Sequence, residues 1–357
     1  MRRIAAALAA ACALAACTNG ARSGRAAAPT VVARALPTPA AAKSLAWRGV
    51  ALGLWDQLAE GDDAAYPLAA QLADIHELGA DHVLFVVRWR QHDVHSPTLA
   101  PDPSVTLDDA RLVAAVRAAH TAGLAVVLFP IVDLEVLREG EWRGTIAPPD
   151  VDAWWTSYRE FVLHYAAIAA DEHIAGLSLG SELGSMERWR DRWYALASSV
   201  RARFPGTLVY SANWDHFAAV PFWERVDAIG ISAYPPLVDD SDAAREASWR
   251  AFGARIVDFA RTQAKPLLLT EVGVPSVRGA AASPWDYTAE GEVDLEVQRR
   301  CFAAFARVFA REPSLTGMFV WVWGAGGARD RGYAVRGKPA EAVLRAFYGR
   351  GAGEESR

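Results

Sequence analysis

Eight short apolar runs, spaced along the chain and separated by amphipathic stretches, restrict what this sequence can fold into more than any other feature. They are residues 49–55 (GVALGLW), 82–88 (HVLFVVR), 124–132 (LAVVLFPIV), 174–180 (IAGLSLG), 207–212 (TLVYSA), 226–233 (VDAIGISA), 266–272 (PLLLTEV) and 317–323 (GMFVWVW). Runs of this kind read as strands buried on both faces. Between them the apolar residues step by three or four, as helices require. Trp154, Tyr158, Phe161, Tyr165 and Ile168 do so, as do Trp249, Phe252, Ile256 and Phe259, and later Cys301, Phe305, Val308 and Phe309. Gly79, Gly123 and Gly206 stand where a helix end would turn into the next strand.

Eight strands alternating with helices predict an α/β fold, a single (β/α)8 TIM barrel. Only residues 214–225 separate strands five and six, with Pro221 among them, so the fifth helix is degenerate. An open doubly wound sheet would bring a Gly-rich phosphate turn after the first strand, and GLWDQLAEGDD at 53–63 is not one. The length of 357 residues leaves room for two domains, but barrels of about 250 residues fold as one.

The ends fall outside the barrel, which is expected over 46–349. Arg2 and Arg3 precede a short apolar segment, so 1–16 reads as a signal peptide, too short for a stable membrane span. Leu14-Ala15-Ala16-Cys17 looks like a bacterial lipobox, with Cys17 as the lipidated first residue of the mature protein. Thr18 at the next position suits export to the outer membrane of a Gram-negative cell. The expected location is therefore the cell envelope; an ordinary signal peptide, leaving a secreted protein, is the alternative. Residues 17–45 are Ala, Pro, Thr, Ser and Arg with few large apolar side chains, and read as a disordered tether. Residues 350–357 form a polar, frayed tail. Of the three cysteines only Cys301 belongs to the folded part, as a buried apolar residue on a helix.

A formal net charge of -5 gives no electrostatic case for nucleic acid as a partner. The 14 tryptophans belong to a heavy core, a sugar-facing surface, or both. Barrel active sites lie at the C-terminal strand ends. Those ends present Trp55 and Asp56; Arg88, Trp89, Arg90 and Gln91; Asp133 and Glu135; Ser181 and Glu182; Asn213, Trp214 and Asp215; Tyr234; Glu271; and Trp321 and Trp323. Glu182 and Glu271 stand out, because each ends a strongly apolar run and a charge there is costly without partners. Two carboxylates among Trp and Tyr are the parts needed for glycoside hydrolysis. Structural pairing of either Glu with an Arg is the plainer alternative.

The pair on strands four and seven resembles the hallmark of clan A glycoside hydrolases, which are retaining enzymes. Within that clan the chain is most similar to glycoside hydrolase family 113, the β-mannanase family. The motifs are GSEL at 180–183, SANWDHF at 211–217, DAIGISAYPPL at 227–237 and LLLTEVG at 267–273, with looser matches in VRWRQHD at 87–93 and FVWVWG at 319–324. The resemblance implies that Glu182 is the general acid/base, with a raised pKa, and Glu271 the ionised nucleophile. Tyr234 would hydrogen-bond Glu271, and Arg88 would help to keep it charged. Trp321 or Trp323 would form the platform under the sugar, Asn213 and Trp214 would line the adjoining subsite, and Trp89 and Gln91 the opposite wall. Many clan members carry Asn before the acid/base; Ser181 stands there in this chain, which leaves the contact to the sugar 2-hydroxyl unassigned. The substrate expected is an oligo- or polysaccharide, β-1,4-mannan or a related β-linked glycan, cleaved without a cofactor or metal. A non-catalytic glycan-binding lipoprotein on the same barrel is the rival reading.

Other candidates carry less. His92 and His95 resemble a two-histidine metal pair, but they lie in a loop without a third ligand, so a solvated loop is favoured. Asp133 and Glu135 could bind sugar hydroxyls or pair with the arginines of strand two. Glu187 and Asp191 follow the acid/base candidate and are expected to face solvent. Trp154, Trp155, Trp189, Trp193 and Trp249 are expected to pack between helices and barrel. Trp285 and Tyr287, in the long loop 273–292, are placed to touch substrate.

Overall fold

The computed structural model describes residues 45–54 and 66–349. Eight parallel strands close into one barrel in chain order, with the eighth returning to the first. They are β1 (Trp47–Leu52), β2 (His82–Gln91), β3 (Ala125–Leu134), β4 (Gly176–Ser181), β5 (Thr207–Asn213), β6 (Ala228–Ala233), β7 (Leu267–Val272) and β8 (Leu315–Trp323). The predicted barrel is therefore the observed one. β2 and β3 outrun their apolar runs because polar residues continue the ladder, with Arg90 opposite Asp133 and Gln91 opposite Leu134.

The helices are α1 (Leu68–Glu77), α2 (Asp109–Thr121), α3 (Val151–Asp171), the single turn α4 (Gly184–Glu187), α5 (Arg190–Arg201), α6 (Asp242–Gln263), α7 (Leu295–Phe309) and α8 (Pro339–Gly349). Short polar side chains start several of them by taking otherwise unpaired backbone N–H groups. Asp108 accepts from Arg111, Asp150 from Ala153, Ser241 from Ala244 and Asp294 from Val297. Each cap contributes about 1 kcal/mol. Between β5 and β6 two 3-10 turns, Phe217–Ala219 and Trp223–Arg225, replace the fifth helix, as the short spacing requires.

Alternation along the strands builds two apolar layers. Leu84 and Val86 join Ala51, Val127, Phe129, Ile131 and Phe319 inside the barrel, while Val83, Phe85 and Val87 meet the helices outside. Trp47 packs into the interior, stacked on His82 at 4.7 Å and edge-on to Phe319. Gly317 makes room for it, since a Cβ there would lie 2.5 Å from Trp47 Cβ. Outside, Trp154, Trp155, Trp193 and Trp249 are buried as the helical spacing predicts. Trp189 departs from that expectation and is 36% exposed. Cys301 is buried on α7.

The signal segment, Cys17, the tether up to residue 44, Trp55, Asp56 and the tail 350–357 lie outside the described residues. Among the described residues, no helix is long and apolar enough to cross a membrane.

Candidate active site

Glu182 follows β4 directly, and both its neighbours in the chain are buried. Its φ of 56° places it in the left-handed region, which costs a residue with a Cβ about 1–2 kcal/mol. Such strain persists only where the surroundings fix the backbone. Here Glu182 N donates to Ser211 O at 2.8 Å, and Leu183 N donates to Tyr210 Oη at 3.1 Å. Ser181, in the position where Asn is common, is buried, and its Oγ has no hydrogen-bond partner among the described residues.

Glu271 sits within β7 and is 2% exposed. Tyr234, just past β6, donates its hydroxyl to Glu271 Oε2 at 2.7 Å, and Ser232 Oγ reaches Oε1 at 3.4 Å. Behind Ser232 the hydroxyls of Ser211 and Thr270 continue the chain at 2.9 and 2.5 Å. Burial and the charge of Glu182 push Glu271 up to about 8, while Arg143, Tyr234 and Ser232 pull it down. The expected help from Tyr234 is present, but it works against burial and against the reluctance of two neighbouring buried carboxylates to ionise together.

The cation serving both carboxylates is Arg143, and sequence reasoning missed it. It lies in a 3-10 turn of the loop between β3 and α3, and its Nη2 donates to Glu182 Oε2 at 2.6 Å. Burial opposes its charge, but Glu182 and Glu271 together outweigh that and keep it protonated. Arg88, expected to support Glu271, pairs instead with Asp133 at 3.1 Å. Arg90 binds the same carboxylate at 2.9 Å, so Asp133 pairs with the strand-two arginines while also bordering the cleft at the barrel mouth.

These groups open into a cleft of about 660 Å³ at the C-terminal end of the barrel. Glu182, Glu271, Tyr234, Asn213, Trp214 and Trp321 all line it, together with Arg143 and Tyr333. Leu137 and Trp142 border it from the β3–α3 loop, and Trp285 and Tyr287 from the β7–α7 loop. Trp214 and Trp285 stack at 5.5 Å, and Tyr287 is 74% exposed. Trp142 and Tyr333 sit in loops, where strand-end counting has no reach.

Besides Arg88, three expected site residues are corrected. Trp89 and Gln91 point away from the cleft, because strand alternation turns the odd positions of β2 toward the helices. Trp89 packs on Phe161 at 5.2 Å, and Gln91 Oε1 accepts from Trp154 Nε1 at 2.8 Å. Trp323 is likewise buried against the helix layer, where its Nε1 donates to Tyr66 Oη at 2.8 Å. Trp321 is the β8 tryptophan that borders the cleft, and the peptide joining it to Val322 is cis.

Glu187 also departs from expectation. It is 2% exposed and accepts from Tyr210 Oη at 2.7 Å, whereas Asp191 is exposed as expected. His92 pairs with Glu135 at 2.8 Å, and His95 meets the Ala147 carbonyl at 3.2 Å. No group of three His, Cys, Asp or Glu among the described residues could hold a metal ion.

Two carboxylates and a cation at the mouth of a parallel barrel, bordered by aromatic faces, are the groups that acid/base and nucleophilic chemistry on a sugar requires. The family model for Glycoside Hydrolase Family 113 matches residues 59–338, which include every one of these groups. The chain belongs to glycoside hydrolase family 113. This family 113 barrel is also similar to solved structures. One is a family 113 β-mannanase, AaManA from Alicyclobacillus acidocaldarius, in complex with ManMIm. It is 28% identical with a TM-score of 0.74, over 86% of this chain and 98% of that one. A second family 113 β-1,4-mannanase is 25% identical with a TM-score of 0.75, over 88% of this chain and all of the other. A β-glucuronidase from Faecalibacterium prausnitzii, 15% identical with a TM-score of 0.60, shares the fold over 86% of this chain and 49% of its own. A search of curated proteins finds no match.

Proposed function

We propose that this glycoside hydrolase cleaves β-1,4-mannan or a closely related β-linked glycan with retention of anomeric configuration, through Glu182 and Glu271. The observation that carries the reading is the pairing of two buried carboxylates at the ends of β4 and β7, both charge-coupled to Arg143 inside an aromatic cleft. Glu271, held by Tyr234, attacks the anomeric carbon as nucleophile. Glu182 protonates the departing oxygen and then takes a proton from the water that releases the glycosyl-enzyme. The mechanism requires carboxyl groups about 5–5.5 Å apart, close enough for direct attack and too close for an intervening water. Trp321 and the stacked pair Trp214–Trp285 offer flat apolar faces to sugar rings. The likeness to structures described as β-mannanases supports mannan among β-glycans.

Product analysis on mannan, glucan, xylan and galactan oligosaccharides tests the substrate, and proton NMR of the first-formed anomer tests retention. Cleavage of mannan to β-anomers is expected; release of the α-anomer would refute the double displacement. Glu182→Gln and Glu271→Gln should each abolish turnover while keeping the fold, and full activity in either would remove it from the mechanism. Binding of these glycans without cleavage by the native protein would favour the glycan-binding alternative.

The segment preceding the barrel supports a lipid-anchored protein of the cell envelope, with Cys17 as the modified residue. Cys17→Ser should move the protein from the membrane to the soluble fraction and block its labelling with palmitate. Membrane retention of that variant would mean that something other than a lipid on Cys17 anchors the protein, and a native protein already in the soluble fraction would favour the secreted form.

A further inference from the structure

Behind Glu182 lies a third buried carboxylate that the reaction itself does not use. Glu187, at the end of α4, accepts the Tyr210 hydroxyl proton at 2.7 Å. Tyr210, on β5, accepts in turn from Leu183 N at 3.1 Å. Leu183 is the residue after Glu182, so this hydrogen bond fixes the peptide on the C-terminal side of the left-handed Glu182 backbone. The Ser211 carbonyl fixes the peptide on its other side.

The geometry explains why a costly carboxylate sits there. A tyrosine oxygen that must accept from Leu183 N has to send its own proton elsewhere, and in a buried site that proton needs an acceptor. Glu187 is the acceptor and sets the direction of the hydroxyl. The Tyr210 ring has no freedom of its own, wedged at 5.1 Å from Trp193 and 4.9 Å from Phe222. The charged and titratable groups around Glu187 are Glu182 at the end of β4, Tyr210 on β5 and His216 after β5, whose Nε2 lies 3.2 Å from Glu187 Oε2. Burial, and then the charge of Glu182, push Glu187 up to about 7 against the pull of Tyr210.

We propose that Glu187 and Tyr210 are positioning residues for proton transfer, holding the strained turn so that the Glu182 carboxyl addresses the glycosidic oxygen. The proposal rests on Glu182 being the acid/base. A merely structural role for the pair would lower activity toward all substrates alike. A positioning role makes the loss depend on how much the leaving group needs a proton.

The test compares kcat/KM on mannan oligosaccharides, whose leaving sugar must be protonated, with kcat/KM on dinitrophenyl β-mannobioside, whose leaving group departs without help. Tyr210→Phe and Glu187→Leu, checked for native fold by circular dichroism, should lose about 10-fold or more on the oligosaccharides through kcat, with little change on the aryl substrate. Glu187→Gln keeps an acceptor for Tyr210 and should recover most of the loss; a Gln variant that folds but is slowed equally on both substrates would also overturn the proposal. Equal losses on both substrates, or none on either, would overturn the positioning role. Glu182→Gln serves as the control. If it cleaves oligosaccharides like the native protein, the acid/base reading fails; if it does not, flat behaviour of the Glu187 and Tyr210 variants counts against the positioning proposal alone.

Discussion

Arg143 shows how one side chain can set the working state of two others. It binds Glu182 at 2.6 Å and also draws Glu271 toward ionisation, against burial and the repulsion between the two carboxylates. As the proposed nucleophile Glu271 would have to be ionised to attack, so its protonation would limit activity on the acid side. Removing the cation takes away an attraction that favours the charged form, and Glu271 should then hold its proton to higher pH. Arg143→Gln is therefore expected to move the acid limb of the kcat/KM profile upward by about one pH unit or more. Tyr234→Phe removes a hydrogen bond to the same charged form and should shift the limb in the same direction by less. An unmoved acid limb in Arg143→Gln would mean that the guanidinium serves only to place Glu182.

At the scale of the strand, the decisive variable is which face a residue presents. On β2, Leu84 and Val86 continue into Arg88 and Arg90 on the inner face, while Val83, Phe85 and Val87 continue into Trp89 and Gln91 on the outer one. Trp89→Ala should therefore destabilise the fold by about 3–5 kcal/mol, with kcat/KM of the folded enzyme nearly unchanged. Trp321→Ala should do the reverse, lowering kcat/KM about 10-fold or more while thermal unfolding stays close to native. Equal kinetic losses in the two variants, with no difference in melting, would restore Trp89 to the cleft. This contrast also marks what the chain reveals unaided. Glu182, Tyr234 and Glu271 were legible because each terminates an apolar run, and the end of a run locates the rim without any knowledge of facing. Trp89, Gln91 and Trp323 were misread because a strand buried on both faces is apolar at every position, so its pattern does not say which parity is inward. Arg143, Trp142 and Tyr333 stand on loops, brought to the rim by folding, and Glu187 hides on a single turn too short to show a periodicity.

For the whole barrel, the cleft is a stability cost as well as a catalytic asset. The sheet closes β8 onto β1 and leaves no edge, so the site cannot be relaxed without disturbing strands that hold the entire core. Glu271 and Glu187 are buried in that framework and pushed from the ordinary 4.5 up to about 8 and about 7. Below pH 4.5 both are protonated whether the chain is folded or not, and neither penalises the fold. As pH rises above that value the unfolded chain gives up these protons while the folded one still holds them, so the unfolded state is increasingly favoured. The loss continues until the folded groups ionise as well, near pH 7 for Glu187 and near pH 8 for Glu271. Glu271→Gln removes one of the two contributions and should be no more stable than native at pH 4. By pH 8 it should melt about 2 °C or more higher, the sign of an active-site group kept at the expense of stability. Melting curves of the two proteins taken across this range decide the matter. A difference that stays constant from pH 4 to pH 8 would show that Glu271 titrates in the folded protein as it does in the unfolded chain, and that the network of Arg143, Tyr234 and Ser232 fully offsets its burial.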